Sequence, residues 1–142
     1  QCAGCHLPYQ DATLRGRNDV RACIGCHRQA WTGSAATIPS NVVCQSCHEK
    51  APRTDSTEER KLREYLASGR DIPWIQIPTT ASSVHFSHSA HVRYGGMACT
   101  TCHEDMTQQA KTPTSARVYT MSACQKCHEQ NHARGDCNTC HK

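Results

Sequence analysis

Core-forming side chains are scarce. Leu, Ile, Val and Phe together number 16 of 142 residues, about 11%, with a single Phe, two Trp and four Tyr. Below roughly 20% a chain seldom buries enough apolar surface to offset its conformational entropy, which excludes a conventional hydrophobic core. The overall hydrophobic fraction of 37% does not alter this, because it counts all 12 cysteines. Long apolar runs are absent too. The most apolar stretch, Ile72 to Ile77, is short and interrupted by Pro73, far from the roughly 18 to 20 residues of a membrane span. No basic run exceeds two residues, so nothing reads as a nucleic-acid footprint. Gln1 is followed at once by Cys2 with no charged and apolar leader, and any export signal is expected to have been removed. A chain this poor in apolar residues must be stapled by disulfides, metals or bulky cofactors.

The staples are there. All 12 cysteines fall in C-x-x-C pairs: Cys2 with Cys5, Cys23 with Cys26, Cys44 with Cys47, Cys99 with Cys102, Cys124 with Cys127 and Cys137 with Cys140. Each pair is followed directly by a histidine, His6, His27, His48, His103, His128 and His141, giving six copies of the c-type haem attachment signature. The spacing has a physical reason. Thiols three positions apart share one side of a helical turn, where they add across the vinyl groups of one haem edge, and the next residue projects its imidazole onto the iron. Disulfides, zinc sites and thioredoxin-like pairs also use C-x-x-C, but none needs the trailing His.

Six covalently attached haems c would mean one per about 24 residues, a density at which the porphyrins are the core and the polypeptide a wrapping. The expected fold class is mainly irregular with short α-helices and little or no sheet. Closely spaced irons suit stepwise electron hopping, and c-type attachment occurs outside the cytoplasm, so a periplasmic or extracellular location is expected. The formal charge of +4 would be outweighed by haem propionates adding up to about −12.

The motifs form two groups of three. The expected organisation is a trihaem module over 1–50, a linker over 51–84 and a second trihaem module over 85–142. In the linker, Ser56 and Glu59 offer a capping box that opens a helix through Glu58 to Ser68, stopped by Gly69, with Leu62, Tyr65 and Leu66 as one apolar stripe. Such a helix reads as a spacer lying on a haem face. The segment from Asp71 to Pro78, carrying two prolines, reads as an extended arm or edge strand.

Four histidines remain, His85, His88, His91 and His132, and they are the candidate sixth ligands. Bis-imidazole iron is low-spin, keeps its bond lengths on reduction and leaves no open position, which suits electron transfer over catalysis. From Val84-His-Phe-Ser-His-Ser-Ala-His91 through the last three motifs, the chain resembles the class III trihaem cytochromes, which share an opening Phe-x-His-x-x-His string and three C-x-x-C-H motifs, the last two close together. That resemblance implies that His88 completes the haem of Cys99 and Cys102, and His91 that of Cys124 and Cys127. The family takes its third distal ligand from a His before the second motif, where this chain has Tyr119-Thr-Met121-Ser-Ala-Cys124. His132 is the substitute on offer, followed by Met121.

The N-terminal motifs repeat every 21 residues and bring no further His. Two sixth ligands are therefore left to Met97, Met106, Met121, the amine of Gln1, an open site or a second subunit, with His85 free to reach the N-terminal haems or a neighbour. In this ligand deficit the chain is similar in character to extracellular multihaem cytochromes that polymerise and exchange His ligands. The expected function is long-range electron transfer, without enzymatic activity, to redox proteins, terminal acceptors or further copies of the chain. The alternatives are a soluble periplasmic shuttle and the haem subunit of a membrane quinol-oxidising complex. A multihaem reductase would need a five-coordinate haem and a substrate cavity, and no motif replaces its His with the Lys that marks the nitrite reductase family.

Overall fold

The structure is a computed structural model and describes residues 18–49, 52, 54–77, 80–106, 109, 114, 115 and 118–141. Among them the regular elements are short. Helix α1 is Asn18–Ile24, α2 Gln29–Thr32, α3 Asn41–His48 and α4 Thr57–Ser68, followed by a π-helical turn at Ala90–Tyr94 and a 3-10 turn at Cys99–Thr101, then α5 Met121–Gln130 and α6 Cys137–Cys140. No strand occurs among the described residues, and the one extended pairing is an isolated antiparallel bridge between Val84 and His141. The segment 71–77 joins no ladder. It turns tightly where Trp74 N–H donates to the Ile72 carbonyl, 2.8 Å away, and leaves Trp74 and Ile75 exposed. Pro78 lies outside the described residues.

Burial follows the apolar shortage. Val20 and Ile24, one turn apart on α1, meet Trp31 of α2 and Val92 of the π-helical turn in one small cluster, with Cys99 packed against it. This core joins residues from both sides of α4 in the chain. The same junction is hydrogen bonded, because the amides of His88 and Ser89 donate to the carbonyls of Ser34 and Gly33 at 2.8 and 3.0 Å.

The π-helical turn widens the backbone so that Gly95 N–H reaches the carbonyl of Ala90, 2.9 Å away. Position 95 is sterically committed, since a Cβ there would lie 2.7 Å from the His91 carbonyl oxygen.

The linker helix α4 starts at Thr57, with Ser56 Oγ accepting from Glu59 N–H, and ends at Gly69, whose φ of 67° makes the left-handed cap. Only half of the capping box forms. Ser56 N–H goes to Thr54 Oγ1 at 3.4 Å, which leaves the Glu59 side chain for another partner. Helix α4 packs on α3, and Asn41 Nδ2 donates to the Arg70 carbonyl at 2.7 Å across their far ends.

Candidate functional site

Five of the six C-x-x-C-H motifs lie within the described residues; Gln1, Cys2, Cys5 and His6 lie outside them. In each described motif the chain makes one helical turn. The motifs at Cys44 and Cys124 sit wholly inside α3 and α5, and in the other three the His amide donates to the first Cys carbonyl: His27 to Cys23 and His103 to Cys99 at 2.8 Å, His141 to Cys137 at 2.9 Å. That turn brings both thiols to one side and sets the His beside them.

The second cysteine of two motifs is also tied to its surroundings. The Cys102 carbonyl accepts from the Tyr119 hydroxyl, which joins the 3-10 turn to the approach of α5. The Cys127 carbonyl accepts from Asn131 Nδ2 at 2.8 Å and from the Asn131 amide at 3.1 Å, closing the end of α5. None of the ten described cysteines is joined in a disulfide, and no three metal-ligating side chains converge among the described residues. The thiols therefore stand in pairs, not in four-ligand clusters.

The imidazoles are oriented by their Nδ1 atoms. His27 Nδ1 lies 2.8 Å from the Thr37 carbonyl, His88 Nδ1 3.0 Å from Ser34, His91 Nδ1 2.7 Å from Ser87 and His141 Nδ1 3.0 Å from Ser83. His128 Nδ1 pairs in the same way with the Arg134 carbonyl. A carbonyl oxygen only accepts, so each Nδ1 is the donor, and in a neutral ring that leaves the lone pair on Nε2, the state in which imidazole binds a metal. His48 differs, since its Nδ1 meets the Glu59 carboxylate, Oε1 lying 3.0 Å away.

Two pairs of rings lie close together. His88 and His103 have centroids 6.3 Å apart and planes within 8°, and His91 and His128 have centroids 5.9 Å apart at 36°. A metal–imidazole bond is about 2 Å, so two in line plus the ring radii require centroids about 6 Å apart. Both pairs meet that requirement, and the residues present fit haem iron held between two imidazoles. Phe86 sets the geometry from one side. Its ring stacks on His91 at 4.6 Å and meets His88 edge-on at 4.9 Å.

The motifs also crowd one another. Partial desolvation, followed by the nearby His88 and His27, lowers the pKa of His103, which places the motif of Cys23 and Cys26 beside that of Cys99 and Cys102. Burial raises the pKa of the Cys26 thiol, with further contributions from Cys44, Cys23 and Cys47, which sets the motif of Cys44 and Cys47 close by as well. Burial likewise raises the pKa of Cys44, against an opposing backbone hydrogen bond.

Among the described residues no further imidazole pair is set in this way. His85 is exposed and its amide donates to the Cys140 carbonyl at 2.7 Å. His132 is exposed just past α5, with φ of 53°. Met121 opens α5 with 65% of its surface accessible, and Met106 is also exposed. Met97 N–H donates to the His91 carbonyl at 3.1 Å.

Sequence reasoning missed two residues at the site. Phe86 entered only as the first letter of a histidine motif, and Glu59 only as a capping residue; neither pattern signals which imidazole the side chain will touch.

Residues 84–142 match the family described as cytochrome c7 and related cytochrome c. The chain is also similar to the multihaem cytochrome c subunit of menaquinone reductase from Nitratidesulfovibrio vulgaris, at 31% identity over 84% of this chain and 69% of that protein.

Proposed function

Because the chain belongs to the multihaem c-type cytochromes, we propose that it carries six covalently attached haems c and relays single electrons along them outside the cytoplasm, as the haem subunit of a quinone-linked membrane complex. The observation that carries the relay is the pairing of His88 with His103 and of His91 with His128 at the centroid separation a six-coordinate iron needs. Haem supplies a one-electron iron couple when bound. The chain's residues do the rest. The twelve cysteines attach the groups, the six motif histidines ligate the irons from one side, and His88 and His91 close two irons from the other.

An iron closed on both faces offers no site to a substrate, so at these two haems the chain is read as a conduit and not a catalyst. Two trihaem modules, 1–50 and 85–142, joined by a linker over 51–84, are the corresponding organisation. Its partners are then redox proteins, with a quinone-reactive subunit first among them. That assignment is supported by the likeness to a menaquinone reductase subunit.

The ligand deficit supports a second reading, a polymer in which His85 or a neighbouring copy completes an iron. Purification from membranes, with the intact mass and the native mass of the assembly, separates the two. Six haems per chain in a discrete complex with integral membrane proteins is the expected result. Long uniform fibres would replace the complex with the polymer, and fewer than six haems would overturn the hexahaem relay.

A further inference from the structure

Among the described residues Glu59 is the one buried charged side chain, 6% exposed. It sits in the first turn of α4, where a capping acid would turn back to the helix start and remain in water. Instead its Oε1 lies 3.0 Å from Nδ1 of His48, itself only 15% exposed. The same helix grips His48 a second time, because Arg63, one turn along from Glu59, donates to the His48 carbonyl. The linker helix thus holds one motif histidine by both its ring and its backbone.

The chemistry of this contact sets His48 apart. His27, His88, His91, His128 and His141 all direct Nδ1 at neutral carbonyls, whereas His48 directs it at a carboxylate. A carboxylate accepting from Nδ1 raises the basicity of the ligating nitrogen, and poor exposure keeps water from screening the charge. A more basic ligand next to a buried negative charge favours ferric over ferrous iron, and hydrogen bonding to a ligand in this way is a lever on haem potential.

We propose that Glu59 is a positioning residue that lowers the reduction potential of the haem attached at Cys44 and Cys47, making it more reducing than those whose histidines donate to carbonyls. This inference rests on the haem-relay reading of the site. It gives the relay a direction, because an electron leaves the low-potential haem for its neighbours, and the adjoining motif of Cys23 and Cys26 is the next stop. Helix α4, with no haem motif of its own, becomes a tuning element.

The test is potentiometry of the holoprotein with each haem followed by electron paramagnetic resonance, comparing the native chain with Glu59→Gln and Arg63→Gln. Glu59→Gln retains an acceptor but not the charge. One haem is expected to become at least tenfold easier to reduce, about 59 mV for one electron, while haem content, low-spin state and the other potentials stay put. Arg63→Gln disturbs the same helix contact but leaves the carboxylate and removes a cation, and is expected to leave that potential unchanged or lower it. Unchanged potentials in Glu59→Gln, or an equal shift in both variants, would overturn the proposal. Haem content measured by mass on the native chain reads the relay itself, so failure there is distinguishable from failure of the tuning role.

Discussion

The rings of His88 and His103 lie within 8° of parallel with their centroids 6.3 Å apart. The two are held from different parts of the chain. The His103 amide donates to Cys99 in its own motif, while His88 is anchored through both its amide and its Nδ1 to the Ser34 carbonyl. A residue of the N-terminal half therefore sets the aim of a ligand in the C-terminal half, and local sequence and long-range packing meet at this point.

If His88 closes the iron attached at Cys99 and Cys102, His88→Ala opens one axial position and no others. The expected result is one high-spin haem and one more carbon monoxide bound per chain than in the native protein, measured by absorption and magnetic resonance. A variant with an unchanged low-spin spectrum would remove His88 from the ligand set.

Phe86 touches both His88 and His91, so Phe86→Ala should loosen two irons at once. Because Phe86 is only partly buried, the expected cost is about 1 to 3 kcal/mol, read by chemical unfolding of the holoprotein. Broadened resonance signals from both haems should accompany it, and Phe86→Leu should recover most of the stability but not the ring contacts.

Trp31 is buried in a cluster of four and also faces the Arg93 guanidinium, 5.9 Å from its ring centre. With so little apolar core to share the loss, Trp31→Ala should cost about 3 kcal/mol or more. Because the cluster joins α1 and α2 to the π-helical turn, amide exchange should rise in both 18–34 and 88–95. A rise confined to the first stretch would show that the halves are stabilised separately.

Asp136 is exposed, and its pKa lies below its ordinary value, chiefly because the Thr139 hydroxyl donates to its carboxylate, with Arg134 adding to the effect. A depressed folded-state pKa contributes stability above the ordinary carboxylate value and loses it as pH falls through the depressed one. The turn Cys137–Cys140 should therefore stay protected from amide exchange until the pH drops below the usual Asp range. Thr139→Val should move that loss to higher pH, as followed by exchange at residues 137–141.

Much of the site was legible because it is local. A C-x-x-C-H string folds into one turn wherever it lies, since the His amide reaches the first Cys carbonyl without help from the rest of the chain. The linker helix was legible for the same reason, its start written in Ser56 and its stop in Gly69, and it begins at Thr57 as the cap requires. The edge-strand alternative for residues 71–77 failed because a strand needs a partner, and the described chain provides no ladder for it. Half of the capping box failed because the Glu59 side chain had a second acceptor role to fill, and no spacing rule weighs a backbone amide against a buried imidazole.

By itself, the sequence determined the C-x-x-C-H strings and the single turn into which each described one folds, because spacing within one turn leaves no freedom to packing. It also determined that the fold is short helices without a large apolar core, since 16 residues of Leu, Ile, Val and Phe cannot build one. Only the tertiary structure decided which histidines lie close together, which carbonyls fix their protons, and that a linker carboxylate reaches His48. Those contacts join segments distant along the chain, and their energies depend on burial and screening that exist only once the segments have packed.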